Sequence, residues 1–178
     1  MTHVKLTEED NLIIQPFLIG CLLHDLKDVD FLSSNYCKDN FCGPLSDSLN
    51  EMTLDSQGLV IILFYAFLVV PYERLKNKLP SDYDDINKKI QDAIDKKIFV
   101  LDNNYPNKDY LKHIRNATAH VKFKFEEKKS LTFIDDESNR GYHFELTIPL
   151  DKIHLILYDL KVLIINYFTN NREIISND

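Results

Sequence analysis

The sequence of 178 residues predicts a mainly α-helical protein with a small three-stranded antiparallel sheet before its last helix. Apolar residues recur every three or four positions through most of the chain, which is the period of a helix. Between about positions 121 and 148 the period changes to two, and polar turns separate the alternating segments. Since the composition is that of an average globular protein, we expect residues 1–178 to form a single domain with a β-insert at 121–148.

The first predicted helix begins at Thr7, whose hydroxyl can cap a first turn rich in acidic residues. Its leucines and isoleucine at four-residue spacing predict one buried stripe, formed by Ile14, Leu18, Leu22 and Leu26. The following segment, 30–50, is rich in Asn, Ser and Asp and is predicted to be an irregular connection.

An apolar run from Gly58 to Pro71 lies at the centre of the second predicted helix, at about 53–76. The run is shorter than the ~20 residues that a membrane-spanning helix needs. We therefore predict a fully buried helix and no membrane association, with a re-entrant membrane hairpin as the alternative.

Two further helices are predicted before the sheet. The third begins at Pro80, and its apolar repeat is Ile86, Ile90, Ile94 and Ile98. The fourth runs from about 107 to 120, with a core face of Tyr110, Ile114, Ala117 and Val121. The strands follow at 121–125, 131–134 and 144–148, and a final helix is predicted at 153–168 with Asp151 as its cap.

Charge and cysteine content exclude several classes of protein. The net charge of −7 argues against a general nucleic-acid-binding surface. Three cysteines imply no disulfide framework, and the first residues turn acidic before any apolar run, which is the reverse of a signal peptide, so we expect a cytoplasmic protein. Cys37, Cys42 and His24 lack the paired spacing of zinc ligands, so we expect no metal and no cofactor.

The segment 111–120, LKHIRNATAH, carries the strongest functional signal. His120 has the side chain suited to general acid/base catalysis near neutral pH, and the guanidinium of Arg115 matches the geometry of phosphate. Asn116 and His120 share one helix face, whereas Arg115 lies about 140° from His120 around the axis. Either Arg115 curls round the helix end, or two copies of the helix face each other.

Arg115-Asn116-x-x-x-His120 resembles the R-N-x-x-x-H signature of the HEPN family, and Ala117 and Ala119 match the usual setting of that signature. A β-meander followed by one last helix is similar to a plasmid-encoded branch of the family. The resemblance implies a bundle of four to five helices and a metal-independent endoribonuclease that leaves a 2′,3′-cyclic phosphate. It also implies a homodimer with a composite site between the two copies.

Such enzymes often act as toxins or in phage defence, so the resemblance also implies a neutralising protein, with a nucleotidyltransferase-like neighbour as the expected antitoxin. In this interpretation His120 is the general acid/base, Arg115 stabilises the phosphate, and Asn116 orients one or the other. The alternative is a non-catalytic HEPN-like dimerisation or binding module. His120 would then interact with the helix dipole, and Arg115 would be one half of a surface ion pair.

The charge is distributed unevenly along the chain. Residues 108–129 contain seven basic and three acidic side chains, a net charge of +4, so the remainder of the chain carries −11. We expect a basic patch that contacts RNA, with the candidate contacts Lys112, His113, Lys122 and Lys124. The alternative is that Lys122 and Lys124 merely form the solvent face of a strand. Asp135 and Asp136 are interpreted as solvated residues.

Overall fold

The computed structural model describes residues 7–29, 31, 34–40, 57–102, 108–127, 129–137 and 142–170. In chain order its elements are α1 (Glu8–Asp28), α2 (Asn35–Asn40), α3 (Gln57–Phe64), α4 (Val70–Leu75), α5 (Pro80–Asp95), β1 (Val100–Asp102), α6 (Tyr110–Ala119), β2 (Phe123–Glu126), β3 (Ser130–Glu137), β4 (Tyr142–Pro149) and α7 (Ile153–Asn170). A π-helical turn, Tyr65–Val69, joins α3 to α4, and we call the continuous segment Gln57–Leu75 the central helix. The predicted mainly α fold is confirmed.

Helix α1 begins as predicted, but it buries a different face. Thr7 Oγ1 accepts a hydrogen bond from the backbone N–H of Asp10 at 3.1 Å, and the Asp10 carboxylate accepts one from the N–H of Thr7. The buried residues are Ile13, Phe17 and Gly20. The predicted stripe is therefore wrong, since its members Leu18 and Leu22 are more than half exposed. A shift of one position rotates the buried face by ~100°.

The central helix is a core helix, but the prediction that it is fully buried is wrong, since Ile62 is 47% exposed. Among its fully or almost fully buried residues are Leu63, Phe64, Leu68 and Leu75. By length and composition alone it could cross a membrane, and among the described residues it is the one helix that meets this criterion, but half of its apolar stretch is buried inside the protein. Residues 53–56 of the predicted helix and 41–50 of the predicted connection lie outside the described residues. Within the described part of that connection, residues 35–40 form the helix α2, so the prediction of irregular structure is wrong there.

The sheet contains the predicted meander and one strand more. Its order is β1-β4-β3-β2, with every pair antiparallel. β1 was not predicted because three residues directly after a helical turn are too few to show alternation. On β3, Leu131 and Phe133 face the core, and the ring of Phe133 lies 5.1 Å from that of Phe64 in an edge-to-face arrangement. The sheet and the bundle therefore share one hydrophobic core.

The predicted buried faces of the remaining helices are confirmed in part. Ile86 and Ile90 of α5 are buried, whereas Ile98 lies beyond the helix end and is 37% exposed. On α6 the three predicted core residues before position 120 are buried, but Val121 is 69% exposed. Val121 lies past the end of the helix in a left-handed conformation, with φ of 56°, so the helical spacing no longer applies to it. Asp151 lies in a 3-10 turn, Leu150–Lys152, that precedes α7.

Gly20 allows α1 to approach the central helix closely, because a Cβ atom there would lie 2.8 Å from Cε1 of Phe67 and 3.2 Å from Cβ of Ala66. Phe67 is only 4% exposed and has little room to move. We expect Gly20→Val to lower the free energy of unfolding by about 1–3 kcal/mol through overpacking. Urea denaturation followed by circular dichroism measures this change.

The matched control is Gln15→Val, which places the same side chain on the exposed face of α1. Its free energy of unfolding should stay within about 0.5 kcal/mol of the unmodified protein. Equal stability of the two variants would contradict the close approach of α1 to Phe67.

Candidate functional site

The start of α6 is fixed by Asp109, which caps the helix. Its carboxylate accepts from the backbone N–H of Lys112 at 3.4 Å and binds the Lys76 ammonium at 2.6 Å. Burial favours a raised pKa for Asp109, but the hydrogen bond and charge of Lys76 outweigh it and lower the pKa. Asn87 Oδ1 accepts a further bond from the backbone N–H of Leu111 at 2.9 Å. The first turn of α6 is therefore tied to α5 and to the end of the central helix.

The end of α6 is held by Tyr65, the first residue of the π-helical turn. The Tyr65 hydroxyl donates to the carbonyl oxygen of Thr118 at 2.9 Å and lies 3.3 Å from that of Ala119. His120 follows as the C-cap residue, and its backbone N–H donates to the Asn116 carbonyl at 3.0 Å. The His120 side chain is exposed. The tyrosine therefore fixes the helical turn from which His120 projects.

A buried carboxylate faces the middle of α6. Asp135 of β3 is 7% exposed, and its Oδ2 atom lies 2.8 Å from His113 Nδ1 and 2.9 Å from Asn116 Nδ2. Burial favours a raised pKa for Asp135, but the hydrogen bonds from His113 and Asn116 outweigh it and lower the pKa. The ionised carboxylate only accepts, so the Nδ1 atom of His113 carries its hydrogen. The imidazole also stacks on Phe144 of β4, with ring centroids 4.7 Å apart.

Asn116 links this carboxylate to Arg115. Arg115 Nη1 donates to Asn116 Oδ1 at 3.0 Å, and Arg115 Nη2 forms an ion pair with Glu73 of α4. Asp135, Asn116, Arg115 and Glu73 thus form a continuous series of contacts, which we call the polar chain. It runs from the interior, where Asp135 is buried, to the surface, where the Glu73 side chain is 59% exposed.

The structure joins Arg115 to Asn116 by a hydrogen bond between their side chains. Among the described residues no hydrogen bond or ion pair joins either side chain to that of His120. The backbone N–H of His120 donates to the Asn116 carbonyl, so His120 lies one helical turn after Asn116, as expected from their spacing. A single copy therefore presents a tethered guanidinium and an exposed imidazole that are not bonded to each other.

A comparison with known families identifies the family of the chain. The HEPN pEK499 p136 family model matches residues 7–171, from the start of α1 to the end of α7. The chain belongs to the HEPN family. No curated protein and no solved structure is found to match it. The HEPN match therefore includes the motif residues and the strands that follow them.

The candidate RNA contacts of this HEPN protein fall into two groups. Lys122 and Lys124 are exposed just beyond His120, and the charge of Lys122 contributes to the lowered pKa of Asp135. Lys112 is half-buried on α6. His113 is only 1% exposed, so the expected direct contact with RNA does not fit its position. His113 instead lies inside the protein against the sheet, where it contacts Asp135 and Phe144.

Sequence reasoning missed Asp135, Tyr65 and Glu73, the three partners that hold the motif from outside α6. Asp135 was interpreted as solvated, and this is wrong because it shares the buried face of β3 with Leu131 and Phe133. The period-two alternation of β3 was the signal that could have placed it inside. Among the described residues, no group of three or more His, Cys, Asp or Glu side chains could hold a metal ion.

A cavity of about 310 Å³ lies between α5 and α7, lined mainly by apolar side chains that include Ile86, Ile90, Phe99, Ile156 and Tyr158. None of the motif residues lines it. The cavity is therefore separate from the candidate site.

Tyr65→Phe should destabilise the end of α6, because it removes the hydroxyl that donates to Thr118 and leaves that carbonyl without this partner. We expect the free energy of unfolding to fall by about 1 kcal/mol, measured by urea denaturation. Tyr158→Phe is the control, since Tyr158 is 66% exposed, and it should leave stability unchanged. Equal stability of Tyr65→Phe and the unmodified protein would contradict an anchoring role for this hydroxyl.

Proposed function

We propose that this HEPN protein is a metal-independent endoribonuclease. Family membership supports an RNase or a nucleotide-binding module. One motif contains two groups suited to phosphate chemistry, and this observation carries the nuclease proposal. The imidazole of His120 is exposed, and the guanidinium of Arg115 is held in place by Asn116 and Glu73.

Each group has a definite task in RNA cleavage. His120 removes the proton from a 2′-hydroxyl, whose oxygen attacks the adjacent phosphorus, while the 5′-oxygen leaves with a proton. Arg115 stabilises the negative charge that develops on the phosphate oxygens. The product is a 2′,3′-cyclic phosphate and a 5′-hydroxyl. Because Glu73 is exposed, a phosphate reaches the Nη2 atom of Arg115 by displacing that carboxylate.

The exposed lysines beyond His120 supply the attraction for RNA. Lys122 lies just before the edge strand β2, and Lys124 lies on it. The net charge of the whole protein is −7. A local positive field on an acidic body confines RNA to one part of the surface. It also makes binding dependent on salt concentration.

The complete site in this proposal is formed by two copies of the chain. Among the described residues of one copy no hydrogen bond or ion pair joins Arg115 to His120, and a two-fold axis beside the end of α6 would oppose the motif of one copy to that of the other. His120 of one copy then acts as the base beside the partner's Arg115, and a water molecule donates the proton to the 5′-oxygen and recovers it from the imidazolium of His120. The cellular role we propose is that of a cytoplasmic toxin or phage-defence RNase controlled by a neutralising protein partner.

Purified protein incubated with total RNA in the presence of a chelator tests the reaction. We expect cleavage with 2′,3′-cyclic phosphate ends, and His120→Ala and Arg115→Ala should each lower the rate by about 10²–10⁴-fold. His154→Ala is the control, because His154 is an exposed histidine of α7 outside the motif. Absent cleavage, or equal cleavage by unmodified protein and His120→Ala, would favour the non-catalytic dimerisation or binding module.

Mixing two inactive variants tests the composite site. If each site takes Arg115 from one copy and His120 from the other, a refolded mixture of Arg115→Ala and His120→Ala regains one intact site per mixed dimer. Random pairing should then restore about a quarter of the unmodified activity. No recovery, with mixed dimers shown by native mass spectrometry, would place both groups of the site in a single copy.

A further inference from the structure

We propose that Asp135 is a positioning residue for Arg115, so that the β-insert forms part of the site and not only part of the scaffold. The proposal rests on the nuclease function proposed above. It concerns a residue outside the R-N-x-x-x-H motif, 20 positions after Arg115 and on a different element.

The Asp135 carboxylate is buried. An ionised group is costly to remove from water unless several donors compensate it. Asp135 is 7% exposed, and one of its oxygens accepts from both His113 and Asn116. Both donors belong to α6 and flank Arg115 in the sequence, at two positions before it and one after it. The carboxylate therefore fixes the rotation of the helix surface on which Arg115 lies.

The Asn116 amide has a defined direction between Asp135 and Arg115. A terminal amide can turn so that its oxygen and nitrogen exchange places, and its hydrogen-bond partners decide between the two orientations. Asp135 accepts only, so it requires the NH₂ group on its own side. The amide oxygen is thereby directed towards Nη1 of Arg115, at 3.0 Å. Without Asp135, the orientation of the amide would depend on Arg115 alone, whose guanidinium donates to the amide oxygen.

Asp136, the next residue on β3, differs from Asp135 in its surroundings. Because successive side chains of a strand point to opposite faces, Asp136 is directed away from α6. It is exposed and pairs with His143 of β4. The two aspartates therefore offer the same chemical group on two faces of one strand, which provides a matched control.

The variants are Asp135→Ala, Asp135→Asn and Asp136→Asn. Asparagine at position 135 can place its amide oxygen where Oδ2 lies and accept from both donors, whereas alanine cannot. Single-turnover cleavage of a short RNA gives the rate of reaction, and binding of the same RNA with 2′-O-methyl groups gives the affinity without cleavage. Thermal unfolding identifies the folded fraction of each variant.

For Asp135→Ala we expect a single-turnover rate lowered by about 10- to 100-fold, with RNA affinity changed by less than about threefold. Asp135→Asn should recover most of the rate, and Asp136→Asn should match the unmodified protein. A folded Asp135→Ala with the unmodified rate would overturn the proposal. So would a loss of affinity and rate in equal measure in Asp135→Ala, because that would reflect a general loss of structure.

A measurement without RNA separates this proposal from the nuclease proposal. The guanidinium hydrogens of Arg115, followed by ¹⁵N NMR, should exchange slowly with solvent in the unmodified protein and in Asp135→Asn, and rapidly in Asp135→Ala. Unchanged exchange in a folded Asp135→Ala would overturn the positioning role even if RNA is cleaved. Faster exchange together with no RNA cleavage by the unmodified protein would support the positioning role and reject the nuclease.

Discussion

The arrangement of the candidate site depends on one constraint, namely that the amphipathic helix α6 carries polar side chains into the interior of the protein. Helix α6 carries Arg115, Asn116 and His113 within a few residues of buried Ile114 and Ala117, and it packs between the central helix and β3. Buried polar groups without partners are expensive, so each of these side chains is bonded to a neighbouring element. The partners that satisfy the helix are the same groups that fix its functional side chains in space. Stability and orientation thus have a common physical origin here.

Much of the fold could be predicted from local patterns, since the helices and the meander each repeat their own period. The face of α1 could not. Its predicted stripe repeats every four residues, whereas its buried residues Ile13, Phe17 and Gly20 are spaced by four and three. Either spacing is compatible with one face of a helix. Gly20 decides between them, because only a residue without a side chain permits the close contact with Phe67. That contact joins two elements distant in the sequence, and no spacing within α1 reveals it.

The residues of the candidate site also divide into those that local sequence patterns predict and those that they do not. Arg115 and Asn116 could be predicted, since they follow each other within a recognisable motif. Their partners Glu73 and Asp135 could not be identified, because each lies on another element and its contacts depend on how the elements pack. Strand alternation indicates that Asp135 is buried, but not which groups it contacts. The burial of His113 was equally inaccessible to sequence reasoning, since a histidine on an amphipathic helix is compatible with either face. What sequence reasoning lacked was therefore the set of contacts between elements, which are set by tertiary structure.

The π-helical turn has a consequence for which changes in chain length the protein can accept. Tyr65 lies at its beginning and Glu73 follows it, and both contact α6. In a regular α-helix, residues eight positions apart differ by about 80° around the axis. A π-helical turn is wider and rotates less per residue, so it brings the two side chains closer to one face. Removing a single residue from this turn would restore regular winding and leave the two side chains seven positions apart, only about 20° from one common face. The π-helical turn therefore accommodates one extra residue in the central helix while Tyr65 and Glu73 both still face α6.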